Sequence, residues 1–159
     1  MRRQDREVTD GARIDSIIES CDCCRLGLFD GTRAYIVPLS FLFRYENGAR
    51  VLYFHCALEG KKLTLARERP AVCFEMDTAH RFVAGSGPMD NTMLYQCVMG
   101  EGSIGVVESV SDKRSRIGEL IARYRRKADP AFFSPPADGV TVLRLAVERI
   151  SCKENRAAR

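Results

Sequence analysis

No apolar run in this sequence approaches the ~20 residues of a helical membrane span, so no membrane partner is expected. The opening residues Met1-Arg2-Arg3-Gln4-Asp5-Arg6 are charged and no apolar stretch follows them, which predicts no secretory leader. Histidine is scarce: His55 and His80 are the only two, and so few imidazoles restrict metal chemistry. Cys21, Cys23 and Cys24 form C-x-C-C rather than the C-x₂-C pair of a zinc site, and no second Cys/His cluster follows. Repeats, low-complexity tracts, a P-loop, a G-x-G-x-x-G turn and a Ser/His/Asp set are all lacking. An excess of one charge is lacking too. The 25 Lys+Arg stand against 21 Asp+Glu, a net +4, and a balance so mild calls for no nucleic-acid partner.

What is present describes one globular domain. The chain has 159 residues, 45% of them hydrophobic, enough to bury its own core. Residues 1–9 read as an N-terminal arm, 10–154 as a single domain, and 155–159 as a tail. Seven cysteines without a leader read as reduced thiols in the cytoplasm.

Asp10 is a good cap for a helix over about 11–22, where Ile14, Ile17, Ile18 and Cys21 share one face. Strands follow at Cys24–Phe29, at Ala34–Phe43 broken by Pro38, and at Arg50–Cys56, with Asp30-Gly31 and Asn47-Gly48 as turns. A proline inside a strand signals an edge, a bulge or an adjacent ligand. A short helix over Leu58–Arg69 ends at Pro70. Strands at Ala71–Met76 and 92–108 flank a loop at 79–91, with Gly100 and Gly102 permitting a bulge. Ser111 caps a basic helix over 112–127, whose charges suit a solvated outer face or a weak polyanion surface. A proline-rich loop, Pro130–Pro136, precedes a last strand at Val140–Val147. Six strands in hairpin-like succession predict a mainly β fold, an antiparallel barrel with flanking helices.

The most informative segment is Tyr53-Phe-His-Cys-Ala-Leu-Glu-Gly-Lys-Lys62. A strand ends at His55-Cys56, a turn reaches Gly60, and a helix opens on Lys61 and Lys62. Lysine opposes the dipole at that end of a helix, and a bound phosphate would resolve the conflict; the two ammonium groups could equally be plain surface charges. His55 is either a satisfied core residue or a group that donates to a ligand or orients a substrate. His55 and Cys56 point to opposite faces of their strand, which argues against a nucleophilic dyad. At Val37-Pro38-Leu39-Ser40, broken pairing would free backbone groups for a planar heterocycle; a plain edge strand is the alternative.

Tyr35-Ile-Val-Pro-Leu-Ser40 and Leu52-Tyr-Phe-His-Cys-Ala-Leu-Glu-Gly-Lys-Lys-Leu63 resemble the FMN-binding split-barrel proteins related to pyridoxamine 5′-phosphate oxidase, and most of all their nitroimidazole-resistance (Nim-like) branch. The opening residues 2–7 with Cys24-Arg-Leu-Gly-Leu28, and the ending Thr141-Val-Leu-Arg-Leu-Ala-Val-Glu148, fit the same pattern. The resemblance implies a six-stranded split barrel and a homodimer with FMN at the subunit interface. It implies an oxidoreductase acting on a small organic molecule, or a non-catalytic holder of FMN, haem or another planar cofactor on the same barrel. Lys61 and Lys62 would hold the FMN phosphate. Phe54 and His55 would sit at the cofactor, with His55 near the substrate. Val37, Pro38, Leu39 and Ser40 would meet the ring, and Cys97 and Val98 would reach it from the partner subunit. Gln96 and Cys97 stand where the family commonly has a basic residue and serine, and Glu101 is a second departure.

Overall fold

The computed structural model describes residues 3–87, 89–125 and 139–156. The chain enters through one 3₁₀ turn, Gln4–Arg6, and a two-residue strand β1 (Glu7–Val8). The Asp10 carboxylate then accepts the Arg13 N–H at 2.7 Å, which opens α1 (Gly11–Ser20). Ile14, Ile17 and Ile18 are its buried face. Next come β2 (Cys24–Phe29), β3 (Ala34–Leu39), β4 (Leu42–Glu46) and β5 (Ala49–Cys56). They are followed by α2 (Lys61–Glu68), β6 (Ala71–Val83), β7 (Thr92–Val106), α3 (Val110–Arg125) and β8 (Thr141–Asn155).

Neighbouring strands run in the order β3-β2-β6-β7-β8-β5-β4, with β1 added beside β8, and every pairing is antiparallel. Laid flat, the end strands β3 and β4 would stand ~29 Å apart at ~4.8 Å per step. Only Ser40 and Phe41 join them, a link that spans roughly 11 Å at most. The sheet therefore curls until its edges meet at Ser40-Phe41, yet β3 and β4 do not pair. The result is an antiparallel barrel left split along that seam.

Among the described residues, eight strands replace the expected six. The Pro38 strand divides into β3 and β4, and β1 is additional. The division falls at Ser40-Phe41, not at the proline. Pro38 stays within β3, paired on one side with Arg25, because an edge strand does not need its missing N–H. Gly60, at φ 124°, starts α2 later than expected. β6 runs to Val83 and β7 starts at Thr92, so much of the expected 79–91 loop is a projecting hairpin. Ala79, at φ 57°, marks a bulge between Thr78 and Arg81. The hairpin is hidden in the sequence because Ala79, His80, Arg81 and Phe82 are all exposed, which removes the alternation of apolar and polar residues along that arm. β8 also continues past Val147, to Asn155, with Cys152 and Glu154 buried on one face. The cap of α3 is Ser109 rather than Ser111: its Oγ accepts the Asp112 N–H at 3.3 Å. Residues 126–127 and the Pro130–Pro136 loop lie outside the described residues.

β5 is buried on both faces along most of its length. Leu52, Phe54 and Cys56 join Phe41, Leu26, Met76, Leu143 and Leu145 inside the barrel, where α1 and α2 pack. Val51 and Tyr53 lie on the other face, under Ile117 and Leu120 of α3. The basic side of α3 is accordingly not all solvated. Arg116 reaches Glu119 at 2.8 Å and lies 4.8 Å from the Tyr53 ring centre. Arg123 lies 4.5 Å from the Phe41 ring centre and donates to the carbonyls of Glu19 and Cys21 at 3.1 and 3.0 Å. Among the described residues, no helix is long and apolar enough to cross a membrane.

Candidate functional site

The turn after β5 delivers Gly60 in a left-handed conformation, at φ 124°, that a side chain would strain. The Gly60 carbonyl accepts the N–H groups of Leu63 and Thr64 at 2.9 and 3.1 Å. No side chain caps the helix, so the backbone N–H groups of Lys61 and Lys62 stay open. Apart from its chain neighbours, nothing lies within 4 Å of where a Gly60 Cβ would stand.

The two lysines differ. Lys61 Nζ donates to Asp30 at 2.8 Å and lies 4.9 Å from the Tyr35 ring centre. It is thus tied to the β2–β3 turn and to β3. Lys62 is half-buried and makes no ion pair or hydrogen bond among the described residues. It lies near Cys56, whose thiol burial pushes up while Lys62 and Arg67 pull it down.

Tyr35, Val37 and Leu39 line one side of β3 and pack on the main core, while Pro38 and Ser40 are exposed. Among the described residues, the far edge of β3 meets no strand, so the Val37–Ser40 backbone borders the seam. The Tyr124 hydroxyl spans that seam, accepting the Phe41 N–H at 3.0 Å and donating to the Asp22 carbonyl at 2.8 Å.

Other predicted residues fall elsewhere. His55 is exposed and pairs with Val142, on the face of β5 opposite to Cys56 and hence to Lys62. Phe54 and Val98 are fully buried, so their side chains face the core and only their backbone could meet a ligand. Cys97 pairs with Asp77 of β6 and Lys153 of β8, some way along β7 from Ile104, whose N–H bonds the Pro70 carbonyl just past α2. Burial, and then Glu75 at 3.6 Å, push its thiol up to about 12.

The departures have structural employment. Gln96 donates to buried Glu154 at 2.6 Å, and Glu101 pairs with Arg149. Gly100 and Gly102 are enforced by contact: an added Cβ would stand 2.5 Å from the Phe74 ring and 2.0 Å from the Ala146 carbonyl oxygen. The bulge lies there, between Glu101 and Gly102.

Sequence reasoning missed Asp30 as part of the site. Asp30-Gly31 is legible as a turn, but nothing local says that its carboxylate reaches a helix 31 residues away. It also missed a groove of about 720 Å³ on the outer face of β2, β3, β6 and β7. Phe29, Ile36, Cys73, Phe74 and Met99 line it, and Ile36 is 64% exposed.

The sequence matches the family model for pyridoxamine 5′-phosphate oxidase over residues 10–154. No curated protein sequence matches it. A candidate 5-nitroimidazole antibiotic resistance protein of Bacteroides thetaiotaomicron is similar in structure, at 26% identity and a TM-score of 0.76, over 93% of this chain and 86% of that one. The flavocytochrome Anf3 of Azotobacter vinelandii is similar at 14% identity and a TM-score of 0.78, over 99% of this chain and 72% of that one. An FAD-binding protein of Mesorhizobium loti gives 19% identity and a TM-score of 0.64, over 95% and 98%. The last two likenesses carry the fold alone.

Proposed function

Because this chain belongs to the pyridoxamine 5′-phosphate oxidase family, we propose that it is an FMN-dependent oxidoreductase, a homodimer acting on a small organic acceptor. One observation carries the reading: Lys62, with no ion pair or hydrogen bond among the described residues, stands beside two open backbone N–H groups at a helix start. That donor set suits a phosphate monoester. FMN, when bound, would supply the transfer of electrons from a nicotinamide donor to the acceptor. The protein's part is to hold and orient. Lys62 and the two N–H groups take the phosphate, Lys61 assists from its pair with Asp30, and the Val37–Ser40 backbone meets the ring. His55, exposed on the other face of β5 from Lys62, orients the substrate away from the phosphate seat. A nitro compound is the acceptor favoured by the likeness to the Bacteroides protein. All seven cysteines are free thiols, in keeping with a cytoplasmic setting.

The apolar groove supports a second copy of the chain as its occupant. Its rim carries Arg25 beside Glu75 at 2.9 Å, and Glu101 beside Arg149. Charges of both signs on one patch suit a two-fold contact in which each patch meets itself. In a dimer, Cys97 and Val98 would reach the flavin from the partner. Ile36→Glu places a charge in that groove. It is expected to convert a dimer into a monomer by sedimentation and to weaken FMN binding at least tenfold.

The visible spectrum of the purified protein, before and after adding FMN, tests the cofactor. Flavin absorbance that NADH or NADPH bleaches, and a nitroarene restores, establishes the enzyme. Bound flavin without turnover favours a holder or sensor. A protein that stays colourless with added FMN overturns both.

A further inference from the structure

We propose that Asp30 sets how strongly the site prefers a phosphorylated flavin to an unphosphorylated one, an assignment that rests on the flavin reading above. Its carboxylate is anchored beside Lys61. One oxygen accepts the Thr32 N–H, the Thr32 hydroxyl and the Arg33 N–H at 3.0, 2.8 and 2.8 Å, and the other accepts Lys61 Nζ at 2.8 Å. The Lys61 hydrogen bond, then the Arg33 and Thr32 N–H groups, hold the carboxyl well below the usual carboxylate range, so it stays charged.

The charge at the mouth of α2 follows. Lys61 and Lys62 bring two positive charges to a phosphate monoester of about −1.5 to −2, and Asp30 offsets the one on Lys61. A phosphate at Lys61 shares that ammonium with a carboxylate and lies within a few ångströms of a like charge. Riboflavin, with no phosphate, feels neither effect. Asp30 therefore lowers the affinity for FMN selectively and makes the phosphorylated flavin exchangeable.

The test is fluorescence titration of the full-length protein with FMN and with riboflavin, in the wild type and in Asp30→Asn. Asparagine keeps an acceptor for Thr32 and Arg33 and removes the charge together with the acceptor of Lys61. FMN is expected to bind about tenfold more tightly to the variant and riboflavin about equally, so the ratio of the two dissociation constants rises about tenfold. FMN binding should also weaken more steeply with added salt. Asp30→Ser, which keeps an acceptor for the Arg33 N–H, repeats the measurement if the asparagine variant does not fold. A ratio that rises less than threefold, or falls, overturns the assignment, and a fall would mean that Asp30 positions Lys61. A wild-type protein that binds neither flavin overturns the flavin reading, and the role of Asp30 with it.

Discussion

Lys61 and Lys62 are adjacent and identical in type, yet the fold assigns them different tasks. Lys61 spends its charge on Asp30 and the Tyr35 ring, while Lys62 keeps its own. Removing Lys62 should therefore weaken FMN binding more than removing Lys61. Lys62→Ala is expected to raise the FMN dissociation constant roughly tenfold or more, a charge-assisted hydrogen bond being worth about 1.5–3 kcal/mol. Lys61→Ala should raise it only a few fold, and His55→Ala should change it less than the two lysine substitutions together. Equal effects of the two lysine variants would show that the pair with Asp30 opens when ligand binds. The Gly60-Lys61-Lys62 turn was legible because glycine and lysine at a helix start are locally odd. The inequality of the lysines was not, since it depends on a turn 31 residues upstream.

At the scale of elements, α3 shows how a helix can be read correctly and its face misjudged. Its span came within a few residues of what periodicity predicts, because Ile117, Leu120 and Ile121 recur at helical spacing. Its arginines read as solvated because charge in sequence reports nothing about what lies opposite. In the fold, Glu46, Glu119 and the Tyr53 ring receive Arg116. The last turn of α3 acts as a latch. Arg123 donates to the final carbonyls of α1, and Tyr124 joins Phe41 to Asp22 across the seam. Tyr124→Phe leaves the N–H of a fully buried Phe41 without its partner. It should lower stability by about 1–2 kcal/mol and the melting temperature by roughly 3–8 °C. An unchanged melting curve would mean that the hydroxyl is dispensable to the latch.

Across the whole molecule, the two ends of the chain are fastened by one buried carboxylate. Burial alone would raise the pKa of Glu154. Hydrogen bonds from Arg156, Arg13 and Gln96 outweigh that and hold it at about 2. The group is depressed relative to ~4.3 in the unfolded chain, so its contribution is complete above that value. It is lost as pH falls from about 5 through 2. Glu154→Gln should cost about 2–4 kcal/mol at pH 7 and flatten the acid limb of the stability curve between pH 5 and 2. An acid limb identical to the wild type's would remove Glu154 from the account. Local chemistry in the sequence was enough to determine the turns at Asp30-Gly31 and Asn47-Gly48, the helix starting on two lysines, and an antiparallel barrel built from hairpins. Turn geometry, capping and side-chain alternation act over a few residues, and the code for them is equally short. Only the tertiary structure decided that the barrel splits at Ser40-Phe41, that Asp30 takes one lysine and leaves the other, and that Gln96 serves Glu154. Those outcomes depend on which distant strands become neighbours when the sheet curls, and no short stretch of sequence carries that information.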